Sequence, residues 1–134
     1  MTNPPSPVLI IDDDDELRES LAEALSSEGY DVTVAANGRE GLDRLAKNLE
    51  NNQLPSVVLL DLLMPVMNGW EFCTAVKGDP ATAGIPIVGM SGAVSRDPES
   101  PYFIAVDDFL AKPINLPELL AKLRTLGAAS PHSG

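Results

Sequence analysis

The sequence predicts a single α/β domain, a doubly wound parallel β-sheet covered by helices on both faces. Short apolar stretches rich in β-branched residues alternate with stretches in which leucine recurs at helical spacing. Parallel strands need long connections of this helical kind. A length of 134 residues is enough for one domain with a proper core and too short for two ordinary domains.

The first strand is predicted at Val8–Ile11, an apolar stretch of mostly β-branched residues. A helix follows, because leucine recurs every four residues until Gly29, where the helix should end. The leucines of this repeat are Leu17, Leu21 and Leu25. Acids at the start of a helix are favoured by its dipole, so Asp14, Asp15 and Glu16 are expected to be cap and first-turn residues.

A second strand and helix follow directly. Tyr30–Ala35 alternates between polar and apolar residues, as a strand does. Asn37 followed by Glu40 resembles an N-cap with its capping-box partner, which predicts the start of a helix. The residues expected to face inward on that helix are Leu42, Leu45, Ala46 and Leu49.

Three more strands complete the predicted sheet. They are expected at Ser56–Leu60, Ile85–Met90 and Asp108–Ala111. A helix from about Trp70 to Lys77 connects the first two of these. Asn115 and Pro117 stand where an N-cap and a first-turn proline begin a final helix.

The connection between the fourth and fifth strands departs from this regular pattern. Pro98 and Pro101 lie three residues apart, and a regular helix containing both would lose backbone hydrogen bonds. We therefore predict a shortened or irregular fourth helix, of about one turn around Tyr102–Ala105.

Composition and charge restrict the function classes. With 44% apolar and 22% charged residues the chain is typical of a soluble globular protein, and no apolar run reaches membrane-spanning length. A single cysteine agrees with a reducing cytosol, and residues 1–7 form no export signal, so we expect a cytoplasmic protein. We expect a flexible leader at 1–7, a folded domain at 8–126 and a flexible tail at 127–134. The net charge of −11 argues against binding nucleic acid and suits cations and basic partner surfaces.

Chemically useful side chains stand at the carboxyl ends of the predicted strands, where doubly wound proteins bind ligands. They are Asp12, Asp13, Asp61, Ser91 and Lys112. Because dense acids repel one another and Mg²⁺ prefers carboxylate oxygens, the three aspartates are candidate Mg²⁺ ligands. Phosphoryl transfer needs an attacking oxygen, a metal, a cation and a hydrogen-bond donor. Asp61, Lys112 and Ser91 offer the attacking oxygen, the cation and the donor.

This constellation resembles the CheY-like receiver domain of bacterial two-component response regulators. The matching segments are Ile10-Ile11-Asp12-Asp13, Leu60-Asp61 with Met64-Pro65 and Asn68-Gly69, Ser91, and Lys112-Pro113. The resemblance covers roughly Val8 to Leu126 and implies a flavodoxin-like fold with strand order 2-1-3-4-5. It also implies that Asp61 accepts a phosphoryl group from the phosphohistidine of a sensor histidine kinase or histidine phosphotransfer protein.

The resemblance further implies a metal site. Asp13 would bind Mg²⁺ directly, Asp12 would act largely through water, and Asp61 would be both a ligand and the phosphoacceptor. The backbone carbonyl of Leu63 would complete the metal shell. Leu63 and Ala93 are apolar and cannot orient an attacking water, so we expect a long-lived phosphoryl state.

Signalling residues are implied in the same way. Lys112 would bind a phosphoryl oxygen, Ser91 would move toward it, and Phe109 stands at the aromatic switch position. Pro113 resembles the cis-proline of the family. The predicted irregular fourth helix alters the surface through which the family usually dimerises, so we do not expect the usual dimer.

Four functions are open on the sequence. The first is a stand-alone phosphoacceptor domain that catalyses only its own phosphorylation and dephosphorylation; we expect it to signal to a downstream protein, unless the sequence is a piece of a longer protein with an output domain after Leu126. The second is an interaction module that works without phosphorylation. An aspartate-nucleophile phosphatase of the haloacid dehalogenase type would need an acid where Leu63 stands. A flavodoxin-like electron carrier would need a phosphate loop, and the acidic loop after the first strand would repel phosphate.

Overall fold

The computed structural model describes residues 7–62, 69–91 and 106–126. Five strands lie in these ranges, and they are β1 (Pro7–Ile11), β2 (Asp31–Ala35), β3 (Val57–Asp61), β4 (Ile87–Ser91) and β5 (Asp108–Ala111). The described helices are α1 (Asp15–Ser27), α2 (Gly38–Glu50), α3 (Gly69–Lys77) and a C-terminal helix (Leu116–Thr125). The expected fourth helix, residues 1–6 of the expected leader and the tail at 127–134 lie outside the described residues. Pro7, which was expected to belong to the leader, is the first residue of β1.

The five strands form one parallel sheet in the order β2-β1-β3-β4-β5, as predicted. The register pairs Ile11 with Leu60 and Asp61 with Met90, so β1, β3 and β4 end at one edge. Consecutive strands in the chain run β1 then β2, whereas β3 pairs on the other side of β1. The order therefore reverses beside β1, and side chains that follow β1 and β3 meet at this switch point.

Apolar side chains alternate between the two faces of the sheet and build a core on each. On one face, β1 and β3 pack against α2 and α3 through a buried cluster that includes Leu9, Leu60, Leu45 and Phe72. On the other face they pack against α1 and the C-terminal helix through a cluster that includes Ile10, Leu59, Leu25 and Leu119. Since both faces are covered, the predicted doubly wound architecture is confirmed.

The predicted helix starts are confirmed by their hydrogen bonds. The Asn37 side chain accepts from the backbone N–H of Glu40 at 2.9 Å, and the Asn115 side chain accepts from that of Glu118 at 3.0 Å. At α1 the cap is Asp14, whose carboxylate accepts from the backbone N–H of Leu17 at 3.2 Å. The acidic run is thus divided between a strand end and a helix start.

The predicted inner face of α2 was partly wrong. Ala46 is exposed and Leu49 is 40% exposed, whereas the buried residues of this helix are Gly38, Gly41 and Leu45. The physical reason is that α2 packs closely against the core at Gly41, where a Cβ would meet the side chains of Ile11 and Phe72, so the buried face of the helix runs through Gly38, Gly41 and Leu45. None of the described helices is long and apolar enough to cross a membrane.

Candidate functional site

Three carboxylates meet where β1 and β3 end. One carboxylate oxygen from each of Asp12, Asp13 and Asp61 can be chosen so that all three lie within 4.8 Å of one another. Asp61 is the last residue of β3, and Asp12 and Asp13 begin the turn from β1 into α1. Asp12 and Asp61 are buried, whereas Asp13 is exposed. The structure therefore brings together the three side chains predicted to hold a metal.

The backbone and side chain of Asp12 are held by several hydrogen bonds. Its backbone N–H donates to the carbonyl of Ala35 at 3.2 Å, and its Oδ1 accepts from the backbone N–H of Asp14 at 2.9 Å. Its Oδ2 is fully buried and makes no hydrogen bond of regular geometry among the described residues, where its contact is an ion pair with Lys112. Burying a charged carboxylate oxygen in this way raises the free energy of the folded state unless a cation offsets the charge.

Lys112 brings a positive charge to these acids from the end of β5. Its Nζ lies 3.0 Å from Asp12 Oδ2 and 3.7 Å from Asp61 Oδ2. Burial acts to lower the pKa of Lys112, but the contact with Asp12 and the charges of Asp61 and Asp13 outweigh it, so the pKa is raised above its ordinary value. Lys112 is therefore protonated at neutral pH and faces the two buried carboxylates.

The donor set fits Mg²⁺. Carboxylate oxygens are the hard ligands that this ion prefers, and Mg²⁺ usually keeps several waters and takes only a few protein oxygens. Asp13 and Asp61 each offer a carboxylate oxygen within 4.8 Å of one from Asp12. The single positive charge of Lys112 faces both Asp12 and Asp61, so it offsets only part of their combined negative charge. The carbonyl of Leu63, expected as a further ligand, lies outside the described residues.

The remaining predicted site residues lie on β4 and β5. Ser91 is the last residue of β4 and is buried, and its carbonyl accepts from the backbone N–H of Lys112 at 3.1 Å. Phe109 is half-buried and packs against the core on the α2 and α3 face. The peptide bond between Lys112 and Pro113 is cis, as expected.

Arg18, in the first turns of α1, was missed by the sequence reasoning. One guanidinium nitrogen donates to the backbone carbonyl of Asp12 at 2.8 Å, and another contacts the Asp15 carboxylate. The available signal was weak. An arginine six residues after Asp12 lies close to the strand end only if the chain turns directly into a helix, and the composition of the acidic run did not single it out.

Comparisons with known proteins identify the family of the chain. The model of the response regulator receiver domain family matches residues 8–124. The chain is 37% identical over 122 residues to response regulator MprA of Mycolicibacterium vanbaalenii, covering 91% of this chain and 50% of that protein. It is 32% identical to the alkaline phosphatase synthesis transcriptional regulatory protein SphR of Synechococcus elongatus, covering 92% of this chain and 49% of that protein. The chain thus spans about half the length of these curated relatives.

Solved structures of similar proteins share the fold. The chemotaxis response regulator CheY4 of Vibrio cholerae superposes with a TM-score of 0.81 at 30% identity, covering 91% of this chain and 98% of that one. A CheY-like receiver domain protein of Methanospirillum hungatei gives a TM-score of 0.76 at 29% identity, covering 90% and 92%. Receiver domains bind Mg²⁺ at an acidic pocket, and in this chain Asp12, Asp13 and Asp61 form an acidic cluster. The chain belongs to the response regulator receiver domain family.

Proposed function

We propose that this chain is a phosphoacceptor in a Mg²⁺-dependent phosphorelay and that Asp61 receives the phosphoryl group. The donor is the phosphohistidine of a sensor histidine kinase or a histidine phosphotransfer protein, the partners with which receiver domains interact. The observation that carries the proposal is the meeting of Asp12, Asp13 and Asp61 within 4.8 Å beside the Lys112 ammonium group. The proposal assigns the signalling domain to residues 8–126.

The proposed reaction replaces one bond to phosphorus by another. An Asp61 carboxylate oxygen attacks the phosphorus, a P–O bond forms, and the P–N bond to the histidine breaks. Hydrolysis later breaks the P–O bond and returns the Asp61 carboxylate with inorganic phosphate. The chain catalyses only these two steps on itself. Mg²⁺, when bound, supplies neutralisation of the charge on the transferring group.

Each neighbouring side chain has a part in this proposal. Asp12 and Asp13 hold the metal with Asp61, and the Leu63 carbonyl completes its shell. Lys112, already 3.7 Å from an Asp61 oxygen, binds a phosphoryl oxygen. Ser91 donates its hydroxyl to another phosphoryl oxygen, and Phe109 on β5 responds to the change in Ser91. Because Leu63 cannot orient a water, the phosphoryl group is long-lived.

The signal then passes to a downstream protein by direct contact in the proposed scheme. The relatives are about twice as long as this chain, and one is named a transcriptional regulatory protein. A longer protein that contains this acidic receiver domain can therefore still bind nucleic acid through a different domain. The prediction that nucleic acid is not bound applies only to these 134 residues, whose net charge is −11.

The test is intact-mass spectrometry after incubation with acetyl phosphate or phosphoramidate. Wild-type protein is compared with Asp61→Asn, each with Mg²⁺ and with a chelator. We expect one phosphoryl adduct on the wild type that needs Mg²⁺ and is absent from Asp61→Asn. Folded wild-type protein that binds Mg²⁺ but forms no adduct, even with a phosphorylated histidine kinase, would contradict the proposal and favour a module that works without phosphorylation.

A further inference from the structure

Arg18 connects the first helix to the backbone of the aspartate cluster. Its side chain is largely buried, with 14% of its surface exposed. It donates to the Asp12 carbonyl at 2.8 Å and contacts the Asp15 carboxylate on its own helix. The planar guanidinium fork can make both contacts at once, which a single ammonium group cannot do in the same geometry.

The result is that each polar atom of Asp12 has a partner among the described residues. Ala35 fixes its backbone N–H, Arg18 fixes its backbone carbonyl, and the Asp14 backbone N–H fixes its Oδ1. The remaining polar atom, Oδ2, is buried and forms an ion pair with the Lys112 ammonium group at 3.0 Å. The orientation of this carboxylate is therefore set before any cation binds.

We infer that Arg18 is a positioning residue for Mg²⁺ binding, an inference that rests on the proposed function. Arg18 acts through Asp12 by fixing the turn that carries Asp12 and Asp13. Groups that orient metal ligands typically change metal affinity about 10–100-fold when they are removed. Arg18 is also a positive charge near a cation site, and by charge alone its removal would tighten Mg²⁺ binding. Positioning and charge thus predict opposite results.

Two substitutions separate the two effects. Arg18→Met keeps a long apolar stem and loses both the charge and the donors, whereas Arg18→Lys keeps the charge and loses the fork. Positioning predicts that both variants bind Mg²⁺ about tenfold more weakly than the wild type. Charge alone predicts tighter binding by Arg18→Met and unchanged binding by Arg18→Lys.

Arg44 supplies a matched control. It also donates to a backbone carbonyl, that of Val34 at 3.3 Å, and pairs with a carboxylate of its own helix, that of Glu40 at 3.6 Å. It is on α2 and its side chain is 44% exposed. Arg44→Met should therefore bind Mg²⁺ as the wild type does.

The measurement is isothermal titration calorimetry with Mg²⁺ and separately with Ca²⁺, on variants whose thermal unfolding shows that they are folded. Mg²⁺ demands near-ideal octahedral geometry, whereas Ca²⁺ tolerates variable geometry, so a loosened site should lose Mg²⁺ affinity more than Ca²⁺ affinity. A general loss of stability or a change of charge would instead change the affinities for Mg²⁺ and Ca²⁺ by similar factors. We expect Arg18→Lys, which is conservative enough to fold, to lower the Mg²⁺-to-Ca²⁺ affinity ratio.

The outcomes are distinct. Unchanged or tighter Mg²⁺ binding by both Arg18 variants, beside normal binding by the wild type, would overturn the inference and leave the proposed function intact. An equal loss of Mg²⁺ affinity in Arg44→Met would also overturn it. Wild-type protein that binds no Mg²⁺ would contradict the metal requirement of the proposed function itself, and the inference with it.

Discussion

At the scale of single residues, the charge of Lys112 offsets the carboxylates of Asp12 and Asp61, at 3.0 and 3.7 Å. Removing one partner of a buried pair leaves an uncompensated charge. We expect Lys112→Met to lower the free energy of unfolding by about 2 kcal/mol in chelator, less than for a fully buried pair because Lys112 is 25% exposed. Mg²⁺ should restore part of the loss by supplying positive charge. Urea unfolding with and without Mg²⁺ measures both quantities.

Lys77→Met is the control for this prediction. Lys77 also pairs with an aspartate, Asp107 at 3.3 Å, but the two side chains are 36% and 41% exposed. Exposed pairs contribute little, so this substitution should change stability by less than about 1 kcal/mol. Equal losses in the two variants would show that the charge of Lys112 has no special relation to the buried aspartates.

The site residues at strand ends could be predicted from the sequence, whereas Arg18, which contacts the site through its side chain, could not. Asp61 and Ser91 end apolar strands, and the parallel arrangement alone brings strand ends together. Arg18 acts through a hydrogen bond to a backbone carbonyl, which depends on the turn between β1 and α1. No sequence pattern fixes that geometry, because many surface arginines follow acidic runs.

At the scale of elements, the contact between α2 and the sheet depends on Gly41. A Cβ at this position would overlap Ile11 Cδ1 and lie 3.1 Å from Phe72 Cε2, and all three residues are buried. Alanine is worth about 1 kcal/mol more than glycine inside a helix, but overpacking a core costs about 1–3 kcal/mol. We therefore expect Gly41→Ala to lower thermal stability.

Gly84 provides the comparison for this substitution. A Cβ there would meet nothing within 4 Å, so Gly84→Ala should leave the unfolding temperature close to that of the wild type. Differential scanning calorimetry compares the two variants. If Gly41→Ala raises the unfolding temperature, the gain in helix propensity outweighs the cost of overpacking, and α2 does not pack as tightly against β1 as we infer.

The buried cysteine of α3 gives a pH dependence. Burial raises the pKa of the Cys73 thiol from 9.0 to about 12. Between these values the unfolded chain loses the proton that the native state keeps, so stability falls as pH rises above 9. From pH 9 to pH 10 this contribution amounts to about 1 kcal/mol. Urea unfolding of the wild type and Cys73→Ala at pH 8, 9 and 10 measures it.

Cys73→Ala should show a smaller decline than the wild type over this range. Lys112 does not obscure the result, because its pKa is raised above 10.5 and its stabilising charge is lost only at higher pH. Parallel stability curves for the two proteins would contradict the burial of the thiol. Rapid reaction of native Cys73 with a thiol reagent at pH 8 would contradict it as well.

Helix starts could be read from the sequence, but the inner face of α2 could not be read completely. Asn37 and Asn115 were predictable as caps, since their short polar side chains satisfy backbone donors locally. Leucine spacing suggested that Leu49 faces inward, yet it is 40% exposed. The close approach at Gly41 sets how α2 lies on the sheet, and that contact involves residues distant in sequence.

At the scale of the whole molecule, the alternation of strands and helices predicted a parallel sheet with two covered faces. The strand order was implied by the family resemblance, because hydrophobic patterns do not say on which side of β1 the third strand pairs. The same order places β1, which Asp12 directly follows, beside β3, which Asp61 ends. The site is therefore a consequence of topology as much as of residue type.

The central claim is that Asp61 itself carries the phosphoryl group, and the most direct test is to locate that group. Borohydride reduces an acyl phosphate to an alcohol and releases phosphate, which converts the modified aspartate into homoserine. After treatment with a phosphodonor and Mg²⁺, peptide mass spectrometry should find homoserine at position 61 and nowhere else. Homoserine at position 12 or 13, or a phosphate that stays on Ser91, would contradict the claim.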